Sequence, residues 1–228
     1  MHTDEEPIFV ILLHMKSLSL SRPLILMVIG VPGSGKSFFA RQFASTFSTP
    51  LVSYDYIRSR LFETPSFSNK EEAIVYSLAG QQITELLKTE KTIIIDGGVN
   101  DKNDRASLAK IAHKAGYDSL VVWVQTDEPA SKQRSTRRNA KRSGDELNAS
   151  LTTEQFDVLS KELTPPTGQE SFVVISGKHT FATQAKAVLK KLVQPRQELA
   201  QKPNAYSAQN YDQPQPPTTS PRRNVIIN

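Results

Sequence analysis

A chain of 228 residues holds one sizeable α/β domain with extensions and is too short for two full-sized enzyme domains. Its 38% apolar and 22% charged residues describe a folded core diluted by a segment too polar to pack, and the absence of cysteine excludes disulfides, thiolate metal sites and a cysteine nucleophile. The formal net charge of +5 points to an anionic partner such as nucleotide, nucleic acid or acidic lipid, depending on where along the chain it lies.

Residues 1–21 read as a loose leader. The apolar stretch Ile8–Leu13 is short and follows Asp4, Glu5 and Glu6, whereas an export signal needs a basic start and a longer apolar run. No stretch approaches the ~20 apolar residues that cross a bilayer, so a cytoplasmic protein without a membrane partner is expected. Leu24–Ile29 is a continuous apolar run ending at Gly30, the pattern of a central strand covered on both faces. Helix is predicted from Lys36 to about Phe47, stopped by Ser48-Thr49-Pro50, and Leu51-Val52-Ser53 then leads into Asp55. Ser68-Asn69-Lys70-Glu71 has the form of a capping box opening a long helix over 69–88. Thr92–Ile95 runs as a second buried strand into Asp96-Gly97-Gly98, and a helix over 103–115 ends at Gly116. Leu120–Val124 is the next strand, and Trp123 within it is expected in the core. Pro129 opens a basic helix predicted to continue to about Arg142, and Thr152 with Gln155 caps a short one. Phe172–Ile175 and a helix over 180–193 close the domain. From Pro195 onward six of the 14 prolines are mixed with Gln, Asn, Ser and Thr, so 194–228 reads as a disordered tail. Strand and helix in alternation imply right-handed crossovers and a doubly wound parallel sheet with helices on both faces over residues 22–193.

Gly30-Val31-Pro32-Gly33-Ser34-Gly35-Lys36-Ser37 fills every fixed position of G-x-x-x-x-G-K-[ST] between a strand and a helix. That placement aims backbone amides and the positive end of the helix at phosphate oxygens. The stretch Gly33, Ser34, Gly35, Lys36, Ser37 and Phe38 is the candidate nucleotide-binding segment. Lys36 can reach the β- and γ-phosphates of ATP, and Ser37 can ligate Mg²⁺. Asp96, at the end of a hydrophobic strand, is the second candidate for ordering Mg²⁺. A hydrolytic motor would place a glutamate beside it, where Gly97 stands, and no Asn-Lys-x-Asp is present to read guanine. A kinase remains, which needs a base for an acceptor hydroxyl and cations for the transferring group. Asp55 is the candidate base, and Arg58, three residues on along one helical face, would hold an acceptor phosphate or orient the Asp55 carboxylate. The cations are sought in Lys132–Arg142, where Arg134 and Arg138 share a face of a basic helical lid. Without aromatic interleaving this run lacks a stacking platform for bases, leaving nucleic acid as a substrate only. This stretch carries +6 and the rest of the chain −1, so the basic character is local and suits a clamp on ATP.

At these residues the chain resembles the P-loop "predicted kinase" family, AAA-type ATP-binding kinase domains similar to the kinase domain of phage-type polynucleotide 5′-kinases and to zeta-toxin-like and chloramphenicol-phosphotransferase-like kinases. The resemblance covers roughly 22–193 and rests on the phosphate loop, Asp55-x-x-Arg58, the strand ending at Asp96, and Arg134-x-x-x-Arg138. It implies a P-loop fold of the nucleotide-kinase type, with Lys36 and Ser37 on ATP and Mg²⁺, Asp55 as base and Arg58 at the acceptor. A lid arginine would clamp the phosphates, a role for which Arg134, Arg137 and Arg138 compete. The implied reaction transfers the γ-phosphoryl group of ATP to a hydroxyl of a small molecule, nucleotide or nucleic-acid 5′ end. The alternative is a nucleotide-binding regulator or slow ATPase. Gly177-Lys178-His179, after the last strand, either lines the base pocket or is an ordinary turn, and His113 is expected on the surface.

Overall fold

The computed structural model describes residues 22–137 and 150–193. The expected leader, the expected tail and the stretch Arg138–Arg142 of the basic run lie outside the described residues.

Strands form where the apolar runs are continuous. β1 (Leu24–Ile29) is buried at every position, as is β3 (Ile93–Asp96), because helices cover both faces of the sheet. With β2 (Leu51–Ser53), β4 (Asp118–Gln125) and β5 (Phe172–Ser176) they make a five-stranded sheet in the order β2-β3-β1-β4-β5. All neighbours are parallel, with Val28 opposite Asp96 on one side and Val122 on the other. The helices are α1 (Lys36–Phe47), α2 (Tyr54–Leu61), α3 (Asn69–Leu87), α4 (Lys102–Lys114), α5 (Glu128–Thr136), α6 (Thr153–Lys161) and α7 (Phe181–Val193). Alternating β1 side chains divide the core. Ile25, Met27 and Ile29 meet Val75, Ala79 and Ile83 of α3 and Leu108 and Ala112 of α4, apolar residues one helical turn apart. Leu26 and Val28 meet Phe39 and Phe43 of α1 and Val188 and Leu189 of α7. The expected doubly wound α/β sheet is thus present. None of the described helices is long and apolar enough to cross a membrane.

Three local expectations change. Ser68 does cap α3, accepting from the Glu71 amide at 3.4 Å. The Glu71 carboxylate, however, does not return to Ser68; it accepts from Arg58 Nε at 2.9 Å and from the Ser66 amide at 2.7 Å, because a buried guanidinium outcompetes a cap amide for it. The basic helix stops early, at Thr136 rather than near Arg142. There the Ser135 carbonyl accepts from the Leu151 amide at 3.1 Å, and the Ser135 and Thr136 hydroxyls both turn back to the Lys132 carbonyl. Trp123 is only partly buried, while His113 is exposed as expected.

Among the described residues Arg105 is the largest fully buried side chain. Its guanidinium meets both Glu170 oxygens, at 2.7 and 3.1 Å, and donates to the Asn100 carbonyl at 2.7 Å, pinning the loop after β3. Burial works to raise the Glu170 carboxyl, but the Arg105 hydrogen bond and charge hold it below the usual carboxylate range. Glu170→Gln is therefore expected to cost about 1.5–3 kcal/mol in denaturant unfolding at neutral pH. A depressed carboxyl stabilises the fold above its unfolded pKa and stops doing so as pH falls through the folded value. The difference between wild type and Glu170→Gln should accordingly shrink in acid.

Candidate active site

The phosphate loop joins β1 to α1, and three other elements hold it. Asn100 grips its first residue twice, Oδ1 accepting from the Gly30 amide at 3.2 Å and Nδ2 donating to the Gly30 carbonyl at 3.4 Å. Thr126, just beyond β4, donates to the Ser34 carbonyl at 3.0 Å. Gly177, just beyond β5, lies so close that a Cβ there would run into the Ser34 carbonyl. Gly33, at φ +76°, lies against the Ser131 carbonyl of α5, where a side chain would be strained and would clash. Gly35 is the N-cap of α1, which leaves the first amides of that helix directed out of the loop. Lys36 is half-buried, Ser37 buried and Phe38 exposed.

Ser37 and Asp96 come together although 59 residues separate them, the Ser37 hydroxyl donating to Asp96 Oδ1 at 3.1 Å. The other Asp96 oxygen accepts from Ser53 at 3.3 Å. Burial pushes the Asp96 carboxyl up, a shift opposed by the Lys36 charge and raised further by Asp55. The buried Asp96 carboxylate and the Ser37 hydroxyl supply oxygen donors of the kind a hard divalent cation takes. Among the described residues no three His, Asp or Glu side chains converge, so such an ion would keep water and phosphate oxygens as most of its ligands.

Ser53 also caps α2, accepting from the Tyr56 amide, and so links Asp96 to the helix that carries Asp55 in its first turn. The Asp55 carboxylate is 40% exposed and accepts from Arg58 Nη1 at 3.3 Å. Arg58 is 6% exposed, and each of its three nitrogens meets a carboxylate: Nε and Nη2 pair with Glu71 and Glu72, and the Phe67 ring lies 4.9 Å from its guanidinium carbon. Of its two expected tasks, this geometry fits orientation of Asp55. A guanidinium already shared by three carboxylates has little charge left for an acceptor phosphate.

Lys36, Ser37, Asp55 and Arg58 line one cleft of about 150 Å³, together with Tyr54, Tyr76 and other residues of α3 and α6. A wider cleft of about 580 Å³ opens at the ends of β4 and β5, lined by Val31, Trp123, Thr126 and Lys178 among others. Lys178 pairs there with Asp127, so the loop expected near a base does border a cavity beside the phosphate loop. Arg134 and Arg137 are exposed, and neither lines either cleft; Arg138 lies outside the described residues. Lys132 of the basic run is held by Asp157 at 2.7 Å and lies over Phe156. Asn100 and Glu72 carry no sequence signal for the site, and Glu71 carries one for a helix cap only.

A family model described as "AAA domain" matches residues 25–166. No curated protein matches the chain significantly. Among solved structures, a candidate kinase from Chloroflexus aurantiacus is similar with a TM-score of 0.59 at 13% identity, covering 74% of this chain and 98% of its own. A gluconokinase from Sinorhizobium meliloti gives 0.53 at 15% identity, covering 76% and 92% respectively. The Mycobacterium tuberculosis APS kinase CysC, in complex with AMPPNP and APS, gives 0.52 at 17% identity, covering 75% and 98%. At these identities the likeness is one of fold.

Proposed function

The chain belongs to the AAA domain family of P-loop proteins, and from that membership and its acceptor cleft we propose that it is a kinase transferring the γ-phosphoryl group of ATP to a hydroxyl. The observation that carries this reading is the convergence of Lys36, Ser37, Asp55 and Arg58 on one cleft. Lys36 and the amides of Gly33–Ser37 hold the β- and γ-phosphates and neutralise charge that builds on them during transfer. Ser37 and Asp96 would hold Mg²⁺, which would supply positive charge against those phosphates. Asp55 accepts the proton of the acceptor hydroxyl as its oxygen attacks phosphorus, and Arg58 fixes the direction of that carboxylate. Arg134, Arg137 or Arg138 closes over the nucleotide as a clamp, and the base lies toward Trp123 and Lys178. Resemblance to nucleotide and sugar kinases is compatible with more than one acceptor, and the domain bounds 22–193 belong to this proposal.

Labelled ATP offered with nucleosides, sugars, amino alcohols and 5′-hydroxyl oligonucleotides tests it. Label should move to an acceptor hydroxyl, and chelation of divalent cations should stop the transfer. Release of inorganic phosphate with no labelled acceptor in any mixture would instead favour the slow-ATPase reading.

A further inference from the structure

The acceptor end of the small cleft is acidic and aromatic. Among the described residues five charged side chains line the cleft: three acids, Asp55, Glu72 and Glu162, and two bases, Lys36 and Arg58. Lys36 faces the phosphate loop, and Arg58 is divided among Asp55, Glu71 and Glu72. Glu162, at the end of α6, makes no ion pair among the described residues. Rings form part of the remaining wall, beside Ser59, Leu151 and Leu159: Tyr54 and Tyr76 pack edge to face at 4.9 Å between centroids, and Phe67 backs Arg58. Neither tyrosine adds charge, since burial pushes the Tyr54 phenol to about 12 and the Tyr76 phenol higher. Burial, with the charges of Glu72 and Asp104 nearby, pushes the Glu162 carboxyl up. A phosphorylated acceptor would bring negative charge into this surplus, whereas an ammonium group would relieve it and lie against ring faces. The volume of about 150 Å³ is below the roughly 300–1,000 Å³ usual for drug-sized ligands, which suits a small molecule and not a strand of nucleic acid.

Resting on the kinase reading above, we propose that this cleft takes a small amino alcohol, a hydroxyl compound that also carries an amine, with the amine between Glu72 and Glu162 and the hydroxyl toward Asp55. Transfer leaves the amine untouched: the acceptor oxygen forms the new bond to the γ-phosphorus, the bond from that phosphorus to the β,γ-bridging oxygen breaks, and the hydroxyl proton passes to Asp55.

Two matched sets test the charge preference on the full-length protein: glucosamine, glucose and glucose 6-phosphate, and 1-amino-2,3-propanediol, glycerol and glycerol 3-phosphate. A 5′-hydroxyl oligonucleotide serves as the polyanion. Each is measured twice, by calorimetric binding in the presence of a non-hydrolysable ATP analogue and by transfer of label from ATP. The amine of at least one set should bind more tightly than its neutral and phosphorylated congeners. Glu162→Lys should lower the amine-to-neutral ratio by about fivefold and raise the phosphorylated congener, in line with loss of one partly exposed charge pair. The proposal is overturned if a phosphorylated compound or the oligonucleotide leads, if no amine exceeds its neutral congener, if nothing binds, or if Glu162→Lys leaves the ratios where they were. Amine-selective binding without any transfer would uphold the cleft's chemistry and sink the kinase reading instead.

Discussion

Asp55→Asn should leave the affinity for ATP within about twofold of wild type and lower phosphoryl transfer by about 10²–10⁴-fold, the usual contribution of a positioned base. The two effects separate because of where Asp55 sits. It lies in the first turn of α2, set by the Ser53 cap, whereas the phosphate loop is held by Asn100, Thr126 and the close approach of Gly177. None of the hydrogen bonds that hold the phosphate loop is made by Asp55. Asparagine keeps the shape and can still meet Arg58, so the fold should not change, yet an amide cannot accept the acceptor's proton at neutral pH. Lys36→Met supplies the contrast, since it removes a cation from the phosphates and should weaken nucleotide binding and transfer together. Calorimetry with ATP and initial rates with the best acceptor read both quantities. Full activity in Asp55→Asn would remove the base role.

What the sequence made legible follows from how local each signal is. The phosphate loop is eight consecutive residues with fixed chemistry, and a fully apolar β1 before it can only be a strand covered on both faces. That the sheet is parallel follows from the alternation of strand and helix, whereas the order β2-β3-β1-β4-β5 is carried by no local pattern. Arg58 illustrates what was not legible. Its spacing from Asp55 is visible along one helix, but its other partners, Glu71 and Glu72, arrive from α3 across a turn whose path no local pattern dictates. Glu71 satisfied a capping motif on paper, and only the neighbouring guanidinium decided where its carboxylate would go. The early end of α5 has the same origin. The Ser135 carbonyl is taken by Leu151, a residue distant in sequence, which no helical periodicity could announce. Asn100 and Arg105 form a further non-local chain, Glu170 to Arg105 to the Asn100 backbone, with the Asn100 side chain on Gly30. Buried polar groups are specified by their partners, and those partners are far away in sequence.

Arg58→Met should destabilise the fold by about 3–5 kcal/mol, the larger stability effect of the changes argued in the site, and lower transfer by no more than Asp55→Asn does. The side chain of Arg58 is 8% exposed and that of Glu71 4%, so removing the guanidinium strands a buried carboxylate beside Glu72 and Asp55. The Ser66 amide and hydroxyl still reach Glu71 at 2.7 and 2.8 Å, but they carry no net charge to balance it. Burial raises the Glu71 carboxyl, while Ser66 and Arg58 together bring it below its usual range. Wild type therefore draws stability from this pair above the usual glutamate range and loses it as pH falls through the depressed value. Without Arg58 the sign reverses: Glu71 is driven to take up a proton, so Arg58→Met should grow relatively more stable as pH is lowered toward 5, while wild type does not. Arg58→Lys separates charge from geometry. A lysine supplies one cation without the fork that meets Asp55, Glu71 and Glu72 at once, so it should recover part of the stability while transfer stays low. If Arg58→Lys restored the rate in full, orientation of Asp55 by the guanidinium would not be what the reaction requires. Urea unfolding from pH 5 to 8, together with rates for all three proteins, decides between these outcomes.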